Sequence, residues 1–136
     1  MPRRLASLLS VTLAALLFTG CGSQSYASDA RSALNKMTVA ISRYNHLHPS
    51  GVASTGAACH DAAAALADAS NLASEKPPAA YARLGDALAH AYRSALAGFQ
   101  DCERGAAVGD YQVMARADAE LAAANAWIAQ ARALDH

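Results

Sequence analysis

Histidine, carboxylate and cysteine side chains are where this chain of 136 residues, 16% of them charged, would hold any chemistry. His46 and His48 offer two imidazoles to a metal. They sit in Asn45-His46-Leu47-His48-Pro49-Ser50-Gly51, a loop by composition with no third ligand beside it, whereas a working site needs three or four. Asp86 and His90 are four apart and so share one helix face, where they would bind a metal or pass a proton. Arg83 and Arg93 continue that face, so the set reads as an exposed charged stripe. Asp101/Glu103 and Asp118/Glu120 resemble acid pairs, but a spacing of two on a helix sends side chains apart. Cys59-His60 lacks the earlier cysteine that a haem attachment signal needs. The chain holds no His-Glu-x-x-His, no Glu-x-x-His pair for a di-iron bundle, no nucleophile elbow and no phosphate loop. The expectation is a protein with no catalytic residues, no metal and no cofactor, not an enzyme.

The elements that would position these groups are all helical by periodicity. Ala30, Leu34, Met37, Ile41 and Tyr44 recur at steps of four and three, after the candidate caps Ser28 or Asp29. A second segment from about Ser54-Thr55 sets Cys59, Ala62, Leu66, Ala69 and Ala73 on one face, and Pro77-Pro78 stops it. The third and longest carries Tyr81, Leu84, Leu88, Ala91, Ala95, Phe99 and Cys102. A tight turn at Val108-Gly109-Asp110 follows, with Asp110 as N-cap. The fourth segment then repeats the pattern in Met114, Ala117, Leu121, Ala124, Ile128 and Ala131. Short connections make neighbours antiparallel, so the predicted fold class is all-α, a small Ala-rich up-down four-helix bundle over residues 29–136.

Alanine favours helix but buries little area per residue, so this core would gain from a covalent staple. Cys59 and Cys102 both fall on apolar stripes, and a disulfide between them is expected. Counted along straight helices from Pro77-Pro78, however, Cys102 lies further out than Cys59 by on the order of 10 Å, more than a disulfide spans. Either Cys59 sits in an extended lead-in to the second helix, or the two helices are shifted or separated by a longer turn; the rival is a pair of buried free thiols.

The remaining cysteine has a different setting. Arg3 and Arg4 precede the uncharged apolar run Leu5 to Phe18, which is short for a membrane span and ends in Thr19-Gly20-Cys21. Leu16-Leu17-Phe18-Thr19-Gly20-Cys21 resembles the lipobox of bacterial lipoproteins, with Phe18 where leucine is more usual. That resemblance implies a signal peptide over residues 1–20, cleavage before Cys21, and acylation of Cys21. Residues 21–28 would then be an acylated cysteine and a flexible linker, Gly22 to Ser28. It also implies a lipid-anchored address on the extracytoplasmic face of the cell membrane, an oxidising compartment in which a cysteine pair is seldom left reduced. With its two lysines and abundant alanine, the mature part is similar to small cysteine-paired helical lipoproteins of actinobacteria.

Without Arg3 and Arg4 the chain carries 9 basic and 11 acidic residues, and no basic patch, which disfavours nucleic acid as a partner. Two functional classes are expected. The first is a non-catalytic lipoprotein of the cell envelope, anchored in the membrane through Cys21 and offering a helical surface to an unknown envelope protein. Trp127, the only tryptophan, and the Tyr81/Tyr92 face are its candidate partner surface, although Trp127 also reads as a bundle-edge anchor. The alternative is a carrier of a small apolar ligand or cofactor, in a cavity bounded by Leu88, Phe99 and Leu121.

Overall fold

The computed structural model describes residues 19–47 and 52–135, and among them the chain is helical with no strand. Helix α1 spans Thr19–Leu47, α2 Val52–Ser74, α3 Ala82–Val108 and α4 Tyr111–Ala133, with a 3-10 turn at Ala79–Tyr81 leading into α3. The four long helices pack as a helical bundle around one core, in which Leu34, Met37, Ile41, Leu66, Leu84, Leu88 and Phe99 are sealed from solvent. The stripe read from the fourth segment is the buried face of α4, residue for residue. On α3 the buried face holds Leu84, Leu88, Ala91, Ala95, Phe99 and Cys102, widened by Gly85, Gly98 and Gly105.

Where the helices end follows local chemistry. Gly109 adopts the left-handed conformation (φ 67°) that only glycine takes freely, and terminates α3 by donating to the Gly105 carbonyl. Asp110 then caps α4, its Oδ1 accepting from the backbone of Gln112 at 2.9 Å and Val113 at 3.2 Å. The buried Thr55 hydroxyl donates to the Leu47 carbonyl (3.2 Å), which ties the start of α2 to the end of α1.

The start of α1 departs from expectation. Residues 21–28 were expected to form a flexible linker, and the helix was expected to begin at Ser28 or Asp29; instead α1 runs unbroken from Thr19. The reason is tertiary. Tyr26 extends the apolar stripe back by one step of four from Ala30, is 4% exposed, and packs its ring 5.8 Å from that of Tyr81. A non-local contact of this kind overrides the weak helix preference of Gly-Ser-Gln-Ser.

Cross-helix contacts fix the register. Between α2 and α3, Cys59 meets Cys102, His60 meets Glu103, and Gly56 faces Ala106. Pro77 faces Gly85, so closely that a methyl at Gly85 would lie 2.5 Å from the proline Cγ. Each pair of numbers sums to between 161 and 163, the signature of an antiparallel pair in step along its whole length. Between α3 and α4, Asp101 meets Arg116, Gly98 meets Leu121 and His90 meets Trp127, again antiparallel. Helix α1 runs antiparallel to α4, through Arg31–Asp135 and Tyr44–Asp118, and parallel to α3, through Tyr26–Tyr81 and Tyr44–Phe99.

This register removes the apparent mismatch between the cysteines. The connection from α2 to α3 does not turn at the helix ends but folds back, so that Pro77 lies against the first turn of α3. Counted from that contact, Cys102 lies 17 residues along α3 from Gly85 and Cys59 lies 18 residues back from Pro77. The two Cα atoms are 6.1 Å apart, the Sγ atoms are at disulfide bonding distance, and both residues are fully buried.

Candidate functional site

Asp101 and Glu103 separate as their spacing requires. Asp101 turns to α4 and binds Arg116, with Arg104 beside it at 3.4 Å, while Glu103 turns to α2 and binds His60 at 2.9 Å. Asp118 accepts the Tyr44 hydroxyl from α1 at 2.5 Å. Burial first, then the hydrogen bond to the Asp118 carboxylate and its charge, push the Tyr44 phenol well above its ordinary value. Tyr26 is raised too, by burial first and then by the nearby Glu75 and Asp86 charges, and its hydroxyl is buried with no hydrogen-bond partner among the described residues. These contacts tie α1 to its neighbours, and none of them brings an acid and a base to a shared open position.

The histidines are engaged separately. His46 Nδ1 lies 2.7 Å from the Ser42 carbonyl, and His48 lies outside the described residues. His90 lies flat on Trp127, ring centroids 4.3 Å apart and 13° from parallel, with the Arg93 guanidinium 3.4 Å from its Nδ1. Among the described residues no group of three His, Cys, Asp or Glu side chains converges on a metal position.

Trp127, read both as a bundle-edge anchor and, with Tyr81 and Tyr92, as a candidate partner surface, is half-buried and packed against the core, as are the two tyrosines. Trp127 flanks Ala124, Ile128 and Ala131 on α4, so it closes the edge of the bundle under His90. Among the described residues, the large apolar side chains left exposed are elsewhere, Val39 on α1 and Val108 and Tyr111 at the α3–α4 turn. The predicted cavity between Leu88, Phe99 and Leu121 is likewise a place of close packing. All three are at most 2% exposed, and a methyl added at Gly98 would meet Leu121 Cγ at 2.7 Å.

One open groove lies on the other side of the bundle. A groove of about 710 Å³ runs along the α1–α2 seam, lined by Arg31, Asn35, Lys36, Val39, Ala40 and Arg43 from α1 and by Ala58, Asp61, Ala62 and Ala65 from α2. It continues at one end past Thr38, Ser42, His46 and Leu47, and at the other past Ala33, Ala69 and Leu72. No family model matches the chain, and no curated protein or solved structure does.

The sequence carried a signal for this groove that periodicity on single helices does not reveal. Ala58, Ala62 and Ala65 form a narrow strip of small side chains on α2, and they oppose an α1 face that alternates between bulk and charge. Small residues there keep the helix surfaces from filling the seam. On α3 the same kind of residue acts oppositely, because Gly98 and Gly105 admit Leu121 and Met114 of α4. Cys21 falls within the first turn of α1, while its side chain and residues 1–18, which hold most of the expected signal peptide, lie outside what is described. No helix among the described residues is long and apolar enough to cross a membrane.

Proposed function

We propose that the chain is an exported lipoprotein, anchored through acylated Cys21 on the extracytoplasmic face of the cell membrane. Its helices form an up-down four-helix bundle that works without catalysis as an interaction or structural module of the envelope. The observation that carries the reading is the spacing between the lipobox-like segment and the core. Tyr26 is buried only five residues after Cys21, with continuous helix between them, so a lipid on Cys21 would hold the bundle hard against the membrane surface. Acylation also suits a helix beginning there. An amide-linked acyl group removes the positive charge of a free amino terminus, which would oppose the positive end of the helix dipole. Two or more acyl chains make such attachment stable.

Growth of the native host with an alkyne-bearing palmitate tests the anchor. Labelling of the wild-type chain and none of Cys21→Ala supports it, and equal labelling of the two rejects it. The α1–α2 groove supports a second reading, a carrier that would bind a small apolar ligand along that seam.

A further inference from the structure

We infer that the α1–α2 groove binds a single-chain amphiphile with an anionic head, a long-chain fatty carboxylate, with the head at Arg43 and the tail along the alanine floor. The inference rests on the carrier reading and is independent of the anchor. Three features of the groove support it. Its floor is apolar, made of Ala40, Ala58, Ala62 and Ala65, and Val39 stands 68% exposed on its rim, a cost in water that an apolar chain laid beside it would relieve. Its volume, about 710 Å³, falls within the range of small-ligand pockets. The lining runs from Ser28 to Arg43, about 22 Å of helix, long enough to seat an extended acyl chain.

Charge decides the head and its direction. Arg31, Lys36 and Arg43 line the central groove against one carboxylate, Asp61. Arg31 is already committed to Asp135. At the end where α1 finishes, Arg43 is joined by His46, Ser42 and Thr38, and no carboxylate is among the described residues lining that stretch. At the opposite end Asp29 and Glu75 join Lys36, which makes that end a poor place for an anion. A carboxylate therefore fits the Arg43 end, and a guanidinium can meet both of its oxygens. The tail then points along α1 towards Ser32.

The test uses the full chain in isolated membranes, a photoactivatable palmitate bearing a diazirine in its tail, and peptide mapping of the crosslinks. The expected result is crosslinking to segments 32–43 and 58–65, displaced by excess palmitate and several-fold less effectively by palmityl alcohol. Arg43→Glu, at an exposed position, should weaken the apparent affinity by about fivefold, the scale of reversing one exposed charge. Ala65→Trp, also exposed, should block the groove and abolish crosslinking while far-UV circular dichroism stays unchanged. Equal competition by palmityl alcohol, or an unchanged Arg43→Glu affinity, overturns the anionic head and leaves the carrier reading standing. Crosslinks spread evenly over exposed residues, or unaffected by Ala65→Trp, overturn both.

Discussion

Replacing Cys59 and Cys102 together by alanine should remove a large share of the stability of this bundle. The two cysteines are 43 residues apart in sequence, and in the chain-entropy treatment a loop of that size constrains the unfolded chain by about 4 kcal/mol. Domains of this size are commonly stable by only about 5–15 kcal/mol, so the loss is severe without being fatal. With an unfolding entropy of about 2 cal/mol/K per residue over roughly a hundred residues, the melting temperature should fall by about 15–20 °C. Urea unfolding followed by circular dichroism gives the free energy. The wild type, reduced while unfolded and then refolded under reductant, should match the alanine pair to within about 1 kcal/mol, which separates the crosslink from the lost sulfur volume. Because both cysteines are fully buried, reduction of the native protein should be slow and limited by opening of the bundle. A loss below about 1 kcal/mol, or rapid reduction without unfolding, would refute the register argument from which the crosslink follows.

Other consequences are open to the same measurements. Gly98→Ala gains about 1 kcal/mol of helix preference, but its methyl meets the buried Leu121 at 2.7 Å and the Ala117 carbonyl at 3.2 Å, so it should destabilise on balance by about 1 kcal/mol in urea unfolding. Asp110→Ala removes the acceptor for two backbone amides at the start of α4 and should cost about 1 kcal/mol by the same assay. Tyr44→Phe loses its bond to Asp118 and should cost about 1 kcal/mol at neutral pH, while Tyr26→Phe removes a buried hydroxyl with no partner among the described residues and should cost nothing or stabilise slightly. Both phenols are raised above their ordinary value near 10, so the native state holds its protons longer than the unfolded chain. Wild-type stability should therefore be flat with respect to these groups below about pH 10 and fall above it. The double phenylalanine variant should fall less steeply, as read from denaturant midpoints across the alkaline range.

How much was legible in the sequence can be traced to particular residues. The faces of α3 and α4 were readable because leucine, isoleucine and phenylalanine recur at helical spacing among alanines, and burial follows that spacing closely. Asp110 and Gly109 were readable as boundaries because capping and left-handed backbone depend on residue type alone. The start of α1 was not readable, since Gly22 to Ser25 are polar and only the distant Tyr81 makes helix the better state around Tyr26. The meeting of the cysteines looked strained on straight helices. What the count could not include was Pro77 folding back over Gly85, a packing event between two segments. Trp127 was readable as a bundle-edge anchor, whereas the groove at the α1–α2 seam depends on how helices approach one another, which periodicity within one helix does not encode.

The proposed anchor is tested most directly by the intact mass of the protein extracted from its own host's membranes without reduction. The expected chain begins at Cys21, heavier than its sequence by the acyl groups and lighter by the two hydrogens of the Cys59–Cys102 crosslink. A chain that retains Met1, or one that begins elsewhere and carries no lipid, would contradict it.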